Sequence, residues 1–472
     1  MEAITIPHVR IPSINIGGIC LPGIGAPGSI GKKELIWPAG MKEHIKAWYD
    51  PKKQGMTNFD VIESYAEDFT NWNYVKARGV VTISQHKFII TECILNGLGI
   101  VEDIQEPYSN LTVRITGITD NQEVLITDYF NGQHQIINTI TEDGIYTIED
   151  RHHFVGFGCN FVGTCNITIE QLPTSILKDF SGNGNHAYLY GGKGKLNSGM
   201  GVYQTDFSSW NYYPSLSTVE YSPKGLVIKK VNSTTQFCAS DFVGKFTAEV
   251  SGIPEGVSFY YRYIDKTTGS PVSTTLSNGI NEIDCSNANG DANMTNMFLI
   301  GADNKDINIT ITKIPDYPDQ LCYDGKMYAV CYGFPILTDY TVMAERTWFE
   351  KEEYSAFISN SLGGTEDPSN GAFSVELKSL NSFTTISFGS ITSIGIPEKG
   401  ITYQTKQSYN GNSINVGTKE SNDILILGGR YFYKNNNTIG NTWTGCHGAI
   451  IIADRSFTEE EINWLKQNWD KI

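Results

Sequence analysis

An internal repeat constrains this chain more than any other feature. Asp68-Phe69-Thr70-Asn71-Trp72-Asn73 returns as Asp206-Phe207-Ser208-Ser209-Trp210-Asn211, 138 residues later. Asn166-Ile167-Thr168-Ile169-Glu170-Gln171-Leu172-Pro173 returns as Asn308-Ile309-Thr310-Ile311-Thr312-Lys313-Ile314-Pro315, at an offset of 142. Gly144-Ile145-Tyr146-Thr147-Ile148 lies between them and matches Gly279-Ile280-Asn281-Glu282-Ile283, at an offset of 135. Three matches in one order at nearly one offset mark two copies of one module. Each copy holds alternating apolar and polar runs such as LTVRITGI, EVLITDYF, LVIKKV and INITITKI. That period of two belongs to half-buried strands, and the copy length suits an antiparallel β-sandwich. The modules are expected at 60–174 and 200–316.

The segments around the copies are strand-like as well. After the second copy come MYAVCY, YTVMAERTWF, AFSVEL, TTISFGSI, DILILGGRYFY and GAIIIA. The chain then ends in a helix with a capping box, Thr458 as N-cap and Glu461 three residues on. Phe457 and Ile462 take the staple positions, and Ile462, Leu465 and Trp469 share the face that would dock. Residues 1–43 differ from all of this. Pro7, Pro12, Pro22, Pro27 and Pro38 alternate with glycines and with Ile4, Ile6, Ile11, Ile14, Ile16, Ile19 and Leu21. Proline and glycine disfavour helix and central strand. The apolar residues call for a surface to lie on, so an extended anchoring arm is expected, with a reach of roughly 130 Å.

Composition narrows the function classes. With 35 basic and 51 acidic side chains the net charge is −16, which disfavours a nucleic-acid partner. There is no apolar run long enough for a membrane helix, so no membrane partner is expected. The start MEAITIPHVR lacks a basic n-region followed by an apolar h-region, which predicts folding in a cytoplasm. Nine cysteines with no C-x-x-C pair predict buried thiols rather than a disulfide framework. His152-His153 with Cys159 and Cys165 has neither strong zinc spacing, so zinc is not expected.

Three segments carry a family resemblance. Asp179 to Leu189, D-F-S-G-N-G-N-H-A-Y-L, resembles the early D-x-S-G-N-G-x-H-G stretch of concanavalin-like (laminin-G-like) jelly rolls. Gly448 to Ile462 resembles the closing strand and R-x-L-T-x-E-E-I turn of that family, with Phe457 in place of the usual Leu. Ala47 to Asn58, A-W-Y-D then G-M-T-N, followed by the D-x-S-G-N-G box at Asp179 to Leu189, is similar to structural proteins of tailed crAss-like bacteriophages. The resemblance implies an all-β chain. Residues 44–59, 175–199 and 317–472 would form one discontinuous jelly roll, with the two modules inserted in its loops. It also implies a non-enzymatic head fibre or related appendage on the virion surface, assembled in a bacterial host cytoplasm. The arm would bind capsid or other virion proteins, the lobes would meet host or mucosal glycans, and a homodimer or homotrimer is expected. The alternative is a tail fibre, a receptor-binding protein or a polysaccharide depolymerase of the same particle.

The candidate site residues follow from chemistry. Sugars stack on aromatic faces and hydrogen-bond to amides. Trp72 and Asn73 in one copy, and Trp210, Asn211 and Tyr212 in the other, are therefore candidate carbohydrate contacts. The competing reading is that each Trp fills its own core. Asp179, Asn183 and Asn185 offer oxygen ligands for calcium, against the reading of S-G-N-G as a tight turn. No other cofactor is expected. Particle anchoring falls to Ile4, Ile6, Ile11, Ile14, Ile16, Ile19 and Leu21. Glu350 and Glu352 have the i, i+2 spacing of a glycosidase pair, but FEKEEYSAF reads as a solvated turn. No catalytic residue and no enzyme activity are expected.

Overall fold

In the computed structural model the strand Thr444–Ala453 is buried at every position, and the central sandwich is built around it. The structure describes residues 14–16, 19–21, 35–56, 60–103, 110–130, 133–149, 155–196, 207–222, 224–231, 238–290, 297–301, 305–350, 354–363, 370–379, 382–395, 399–432 and 438–472. The run GAIIIA has no polar alternation because a strand inside a sheet covered on both faces needs none. Thr444–Ala453 pairs antiparallel with Thr341–Trp348, Leu321–Asp324 and Ile45–Tyr49. Its sheet continues through Lys399–Thr405 on one side, and through Lys193–Leu196 to Asp60–Ile62 on the other. The second sheet runs in the order Ile176–Leu177, Ala187–Tyr190, Tyr328–Tyr332, Ile424–Leu427, Ala356–Gly363, Asn370–Ser379, Ser382–Ser387 and Ser390–Ile394. Tyr49, Leu189, Tyr323, Phe357, Trp443 and Ile450 belong to one shared core.

This sandwich is discontinuous. Strands from residues 45–62, 176–196 and 321–453 share its two sheets. Asp60–Ile62 pairs with Lys193–Leu196. Residues 60–62 therefore belong to the sandwich, and the first module's sheets start at Asn73–Tyr74, later than the boundary expected at 60.

The chain is all-β, as expected, and the two inserted lobes are twins. The first stacks two five-stranded antiparallel sheets. One of them has the order Gly144–Ile148, Leu111–Thr116, Gly163–Gln171, Lys87–Cys93 and Gly79–Ser84. In the second lobe the matching sheet has the order Gly279–Asp284, Lys245–Ser251, Lys305–Ile314, Gly225–Val231 and Ser217–Ser222. The likeness reaches single residues. Gly117 and Gly252 both have positive φ, +90° and +81°, and a Cβ on either would strike the carbonyl oxygen of Asn166 or of Asn308. Only glycine meets both demands.

One cysteine pair departs from the expected free thiols. Cys93 and Cys159 form a disulfide between the first lobe's facing sheets. Val231 takes the place of Cys93 in the second lobe and is buried there. Cys238, Cys285, Cys322, Cys331 and Cys446 are buried thiols.

Met1–His44 and Phe457–Ile472 form a separate unit. Its C-terminal helix, Glu459–Asn468, carries the full capping box between Thr458 and Glu461. Ile462, Leu465 and Trp469 are buried, and Trp37 packs on Trp464 with ring centroids 5.1 Å apart. In the leader, Ile14–Ile16 and Ile19–Leu21 pair antiparallel. Sequence reading expected an extended arm without helix or central strand, and this pair is a two-stranded sheet of its own. Gly17-Gly18 between them is a dipeptide that favours tight hairpin connections. Among the described residues no helix is long and apolar enough to cross a membrane.

Candidate functional site

The tryptophans expected to meet sugars are core residues. Trp72 and Trp210 are each 5 % exposed. The short 3-10 turn Phe69–Asn71 precedes Trp72, and Trp72 stacks on Phe157 and packs against Phe69 and Phe88. Trp210 stacks on Phe298 and packs against Phe207 and Tyr261. Neither ring leaves a face for a ligand, so the carbohydrate reading of Trp72 and Trp210 is corrected to a structural one. Asn73 and Asn211 are exposed, and Tyr212 is half-buried with its ring stacked on Tyr221.

Asp179, Asn183 and Asn185 do come together, but as a polar knot. Asp179 Oδ1 accepts from the backbone N–H of Trp48 and of Ser181, each at 2.9 Å. Its Oδ2 accepts from Ser181 Oγ at 2.7 Å and from the Asn185 N–H at 3.0 Å. Asn183 Nδ2 donates to Ile45 O at 2.8 Å, and Asn185 Nδ2 donates to Lys46 O at 2.7 Å. The amide groups donate, and the carboxylate already accepts four bonds, so the calcium reading is corrected to a structural junction. Gly182 and Gly184, with φ of +92° and +76°, make the tight turn that closes it. Among the described residues no cluster of His, Cys, Asp and Glu could hold a metal ion.

Of the expected anchoring residues, Ile4, Ile6 and Ile11 lie outside the described residues, while Ile14, Ile16, Ile19 and Leu21 form the leader hairpin. Glu352, His152 and His153 also lie outside the described residues.

The cavity with the chemistry of a binding site lies where the first lobe meets the central sandwich. It has a volume of about 510 Å³, within the range of small-ligand sites. On the sandwich side, alternation along Tyr328–Tyr332 puts Tyr328, Val330 and Tyr332 on the cavity face. Tyr190 on the neighbouring strand stacks on Tyr328 with centroids 5.6 Å apart, and it accepts a hydrogen bond from Tyr332 Oη at 3.2 Å. On the lobe side, the hairpin of Gly79–Ser84 and Lys87–Cys93 contributes His86 and Lys87, and the neighbouring strands contribute Arg114 and Glu170. Arg114 lies over the Tyr332 ring at 4.6 Å and its Nη1 is 3.8 Å from Glu170 Oε2, so it bridges the two walls. Lys87 Nζ is 3.9 Å from Glu170 Oε1.

Glu63 and Tyr65, in the segment that joins sandwich to lobe, close the cavity. The Tyr65 hydroxyl donates to Glu63 Oε1, and the Gly191 N–H donates to Glu63 Oε2 at 2.8 Å. The Tyr65 ring stacks on His86 at 3.5 Å. Burial, with the nearby charges of Glu63 and Glu170, pushes the Tyr328 hydroxyl up to about 12. Burial also raises Tyr65, Tyr190 and Tyr332. All four therefore stay protonated donors at neutral pH. The cavity offers aromatic faces, hydroxyl donors and acceptors, two carboxylates and two cations.

Sequence reading missed this site. Its residues come from widely separated strands, and the one local signal was the tyrosine density of AYLY and YAVCY.

No family model and no curated protein matches the chain. Among solved structures it is similar to Trypanosoma rangeli sialidase in its covalent intermediate with 2,3-difluorosialic acid. Identity is 10 %, 84 % of each chain is covered and the TM-score is 0.24. It is also similar to that sialidase in complex with sialic acid, at 10 % identity, 84 % of each chain and a TM-score of 0.25. The complex with 2,3-difluoro-KDN gives the same identity and coverage with a TM-score of 0.26. These neighbours are enzymes, so the expectation that the chain is not an enzyme is withdrawn. Likeness at this level carries no argument for an activity of this chain.

Proposed function

We propose that this chain is a phage virion surface protein, a head fibre or receptor-binding fibre, whose first lobe and central sandwich together recognise a host or mucosal glycan. The observation that carries the glycan part is the cavity bounded by Tyr190, Tyr328 and Tyr332, with Arg114 bridging its walls. Tyrosine faces accept the C–H side of a pyranose, and their hydroxyls with Glu63, Glu170 and Arg114 match its hydroxyl groups. The virion setting is supported by the resemblance of residues 47–58 and 179–189 to crAss-like structural proteins. The arm would attach the protein to the particle.

The test is a glycan array with the purified chain, beside Tyr332→Ala and Arg114→Ala. Wild-type protein should retain a defined set of glycans, and both variants should lose them while keeping the circular dichroism of the folded chain, Tyr332→Ala melting lower because it empties a packed position. An array blank for the wild type, or unchanged by both substitutions, rejects the cavity as the binding site. A reducing-end assay on the retained glycan separates binding from cleavage. Labelling of phage particles with antibody to the chain tests the virion setting.

A further inference from the structure

Two cysteines of the central sandwich meet on the face of their sheet that turns away from the core. Leu321 and Tyr323 belong to the sandwich core. Alternation along Leu321–Asp324 therefore turns Cys322 to the opposite face. Cys446, on the strand Thr444–Ala453, is its direct partner in antiparallel register, and directly opposite residues share a face. Both are fully buried, and their side chains touch. Among the described residues, no other thiols are set opposite each other on adjacent strands.

The pair is covered by the segment that returns from the second lobe. Gln320 Oε1 accepts a hydrogen bond from Cys446 Sγ at 3.0 Å, and its Nε2 donates to Glu345 Oε1 at 2.9 Å. Tyr317, just before it, packs on Phe349 with ring centroids 4.7 Å apart. The cover is thin. Tyr317 and Gln320 are half-buried, and Pro318 and Asp319 between them are exposed. Burial, with Cys322 alongside, holds the Cys446 thiol well above its ordinary range, so under the cover it stays protonated and unreactive.

We propose that Cys322 and Cys446 are a redox pair: once Gln320 moves aside, a small disulfide oxidant converts them to a cross-strand disulfide that staples the first strand after the second lobe to the central strand. Opposed residues of an antiparallel pair have Cα atoms about 4.5–5.5 Å apart, inside the range that a disulfide spans. Disulfides persist where oxidants act, and Cys93–Cys159 puts this chain in such a setting. The step balances with oxidised glutathione. Cys446 gives its proton to water, and its sulfur attacks one sulfur of the oxidant. A mixed disulfide forms and one glutathione thiolate leaves. Cys322 loses its proton in turn, attacks the Cys446 sulfur and expels the second glutathione. Two protein thiols are oxidised, one small disulfide is reduced, and the two protons end on the released glutathione.

The test incubates the folded full chain with oxidised glutathione, blocks the remaining thiols with N-ethylmaleimide in denaturant, and maps the unreduced digest by mass spectrometry. The peptides of Cys322 and Cys446 should appear joined, beside the Cys93–Cys159 link present before treatment. Cys322→Ala should stop at a glutathione adduct on Cys446. Gln320→Ala should link several-fold faster than the wild type. Linking should raise the unfolding midpoint of the sandwich by about 5–10 °C, the scale of a bridge that closes a long loop. Maleimide on both Cys322 and Cys446 after the oxidant, or a Cys322→Ala chain without the adduct, overturns the redox pair. A link that leaves the midpoint unmoved overturns the staple, and equal rates for Gln320→Ala and wild type overturn Gln320 as the cover.

Discussion

The backbone N–H of Trp48 donates to Asp179 Oδ1 at 2.9 Å across 131 residues of chain. The whole first lobe lies between these two residues. Tyr49 forms a β-bridge to Asp179 at the same point, and the Tyr49 hydroxyl donates to Asn185 O at 2.6 Å. A buried carboxylate that accepts four bonds thus ties the first strand of the sandwich to the segment that resumes after the insertion.

Replacing Asp179 by Ala should therefore destabilise the sandwich by about 3 kcal/mol or more, since it leaves buried N–H groups unpaired. Asp179→Asn should cost less, because the amide keeps one acceptor oxygen. Chemical denaturation measures both. Millimolar calcium should leave the wild-type melting temperature unchanged, and a rise with calcium would restore the cation reading of this box.

The second lobe should be removable. Lys195 pairs with Cys322 and Leu196 with Leu321 in antiparallel register, so the two ends of the insertion face each other as the mouth of a hairpin. Joining Leu196 to Leu321 through Asn-Gly restores a two-residue connection of the kind hairpins favour. The shortened chain should be monodisperse and keep the near-ultraviolet circular dichroism contributed by Trp443 and Tyr323. Aggregation or loss of that signal would show that the lobe is needed for the sandwich to fold.

The disulfide should set the twins apart. Cys93–Cys159 closes 66 residues of chain inside the first lobe, whereas Val231 fills the matching core position in the second. A bridge of that span contributes about 2–4 kcal/mol. Scanning calorimetry with and without a phosphine reductant should show one transition moving down and the second lobe's transition staying in place. Cys93→Ala with Cys159→Ala should reproduce the shift without reductant.

The twin modules were legible because their signals are local. The Trp72 and Trp210 segments, and the paired Asn166 and Asn308 strands, keep their spacing within each copy. The role of Trp72 stayed open between sugar contact and core because an aromatic flanked by asparagines has the composition of a sugar site. What decides the matter is the turn at Phe69–Asn71, after which the ring lies among Phe88 and Phe157. The cavity was illegible for a different reason. Glu63, His86, Arg114, Tyr190 and Tyr332 are each ordinary strand or loop residues, and only the docking of lobe on sandwich gathers them. The disulfide likewise depends on which strands face each other, and cysteine spacing carries no trace of it.

Acid should weaken the sandwich through His447. This side chain is fully buried, and burial lowers its pKa from 6.5 to about 4. Gly448 O can only accept, so Nδ1 carries the proton and donates to it at 2.7 Å. Nε2 is then bare and accepts from the Tyr323 hydroxyl at 3.0 Å. Both bonds suit the neutral ring, and a second proton would turn Nε2 into a donor and force the Tyr323 hydroxyl to turn its own proton away. Between pH 6.5 and about 4 the unfolded chain binds a proton that the folded chain refuses. The sign follows: stability is full above 6.5 and falls as the pH drops toward about 4, by roughly 3 kcal/mol in total. Urea midpoints at pH 7, 6 and 5 should fall in step. In His447→Gln, which keeps a donor and an acceptor but does not titrate, that part of the pH dependence should vanish. Equal pH slopes in the two proteins would mean that His447 already takes up its proton in the folded chain.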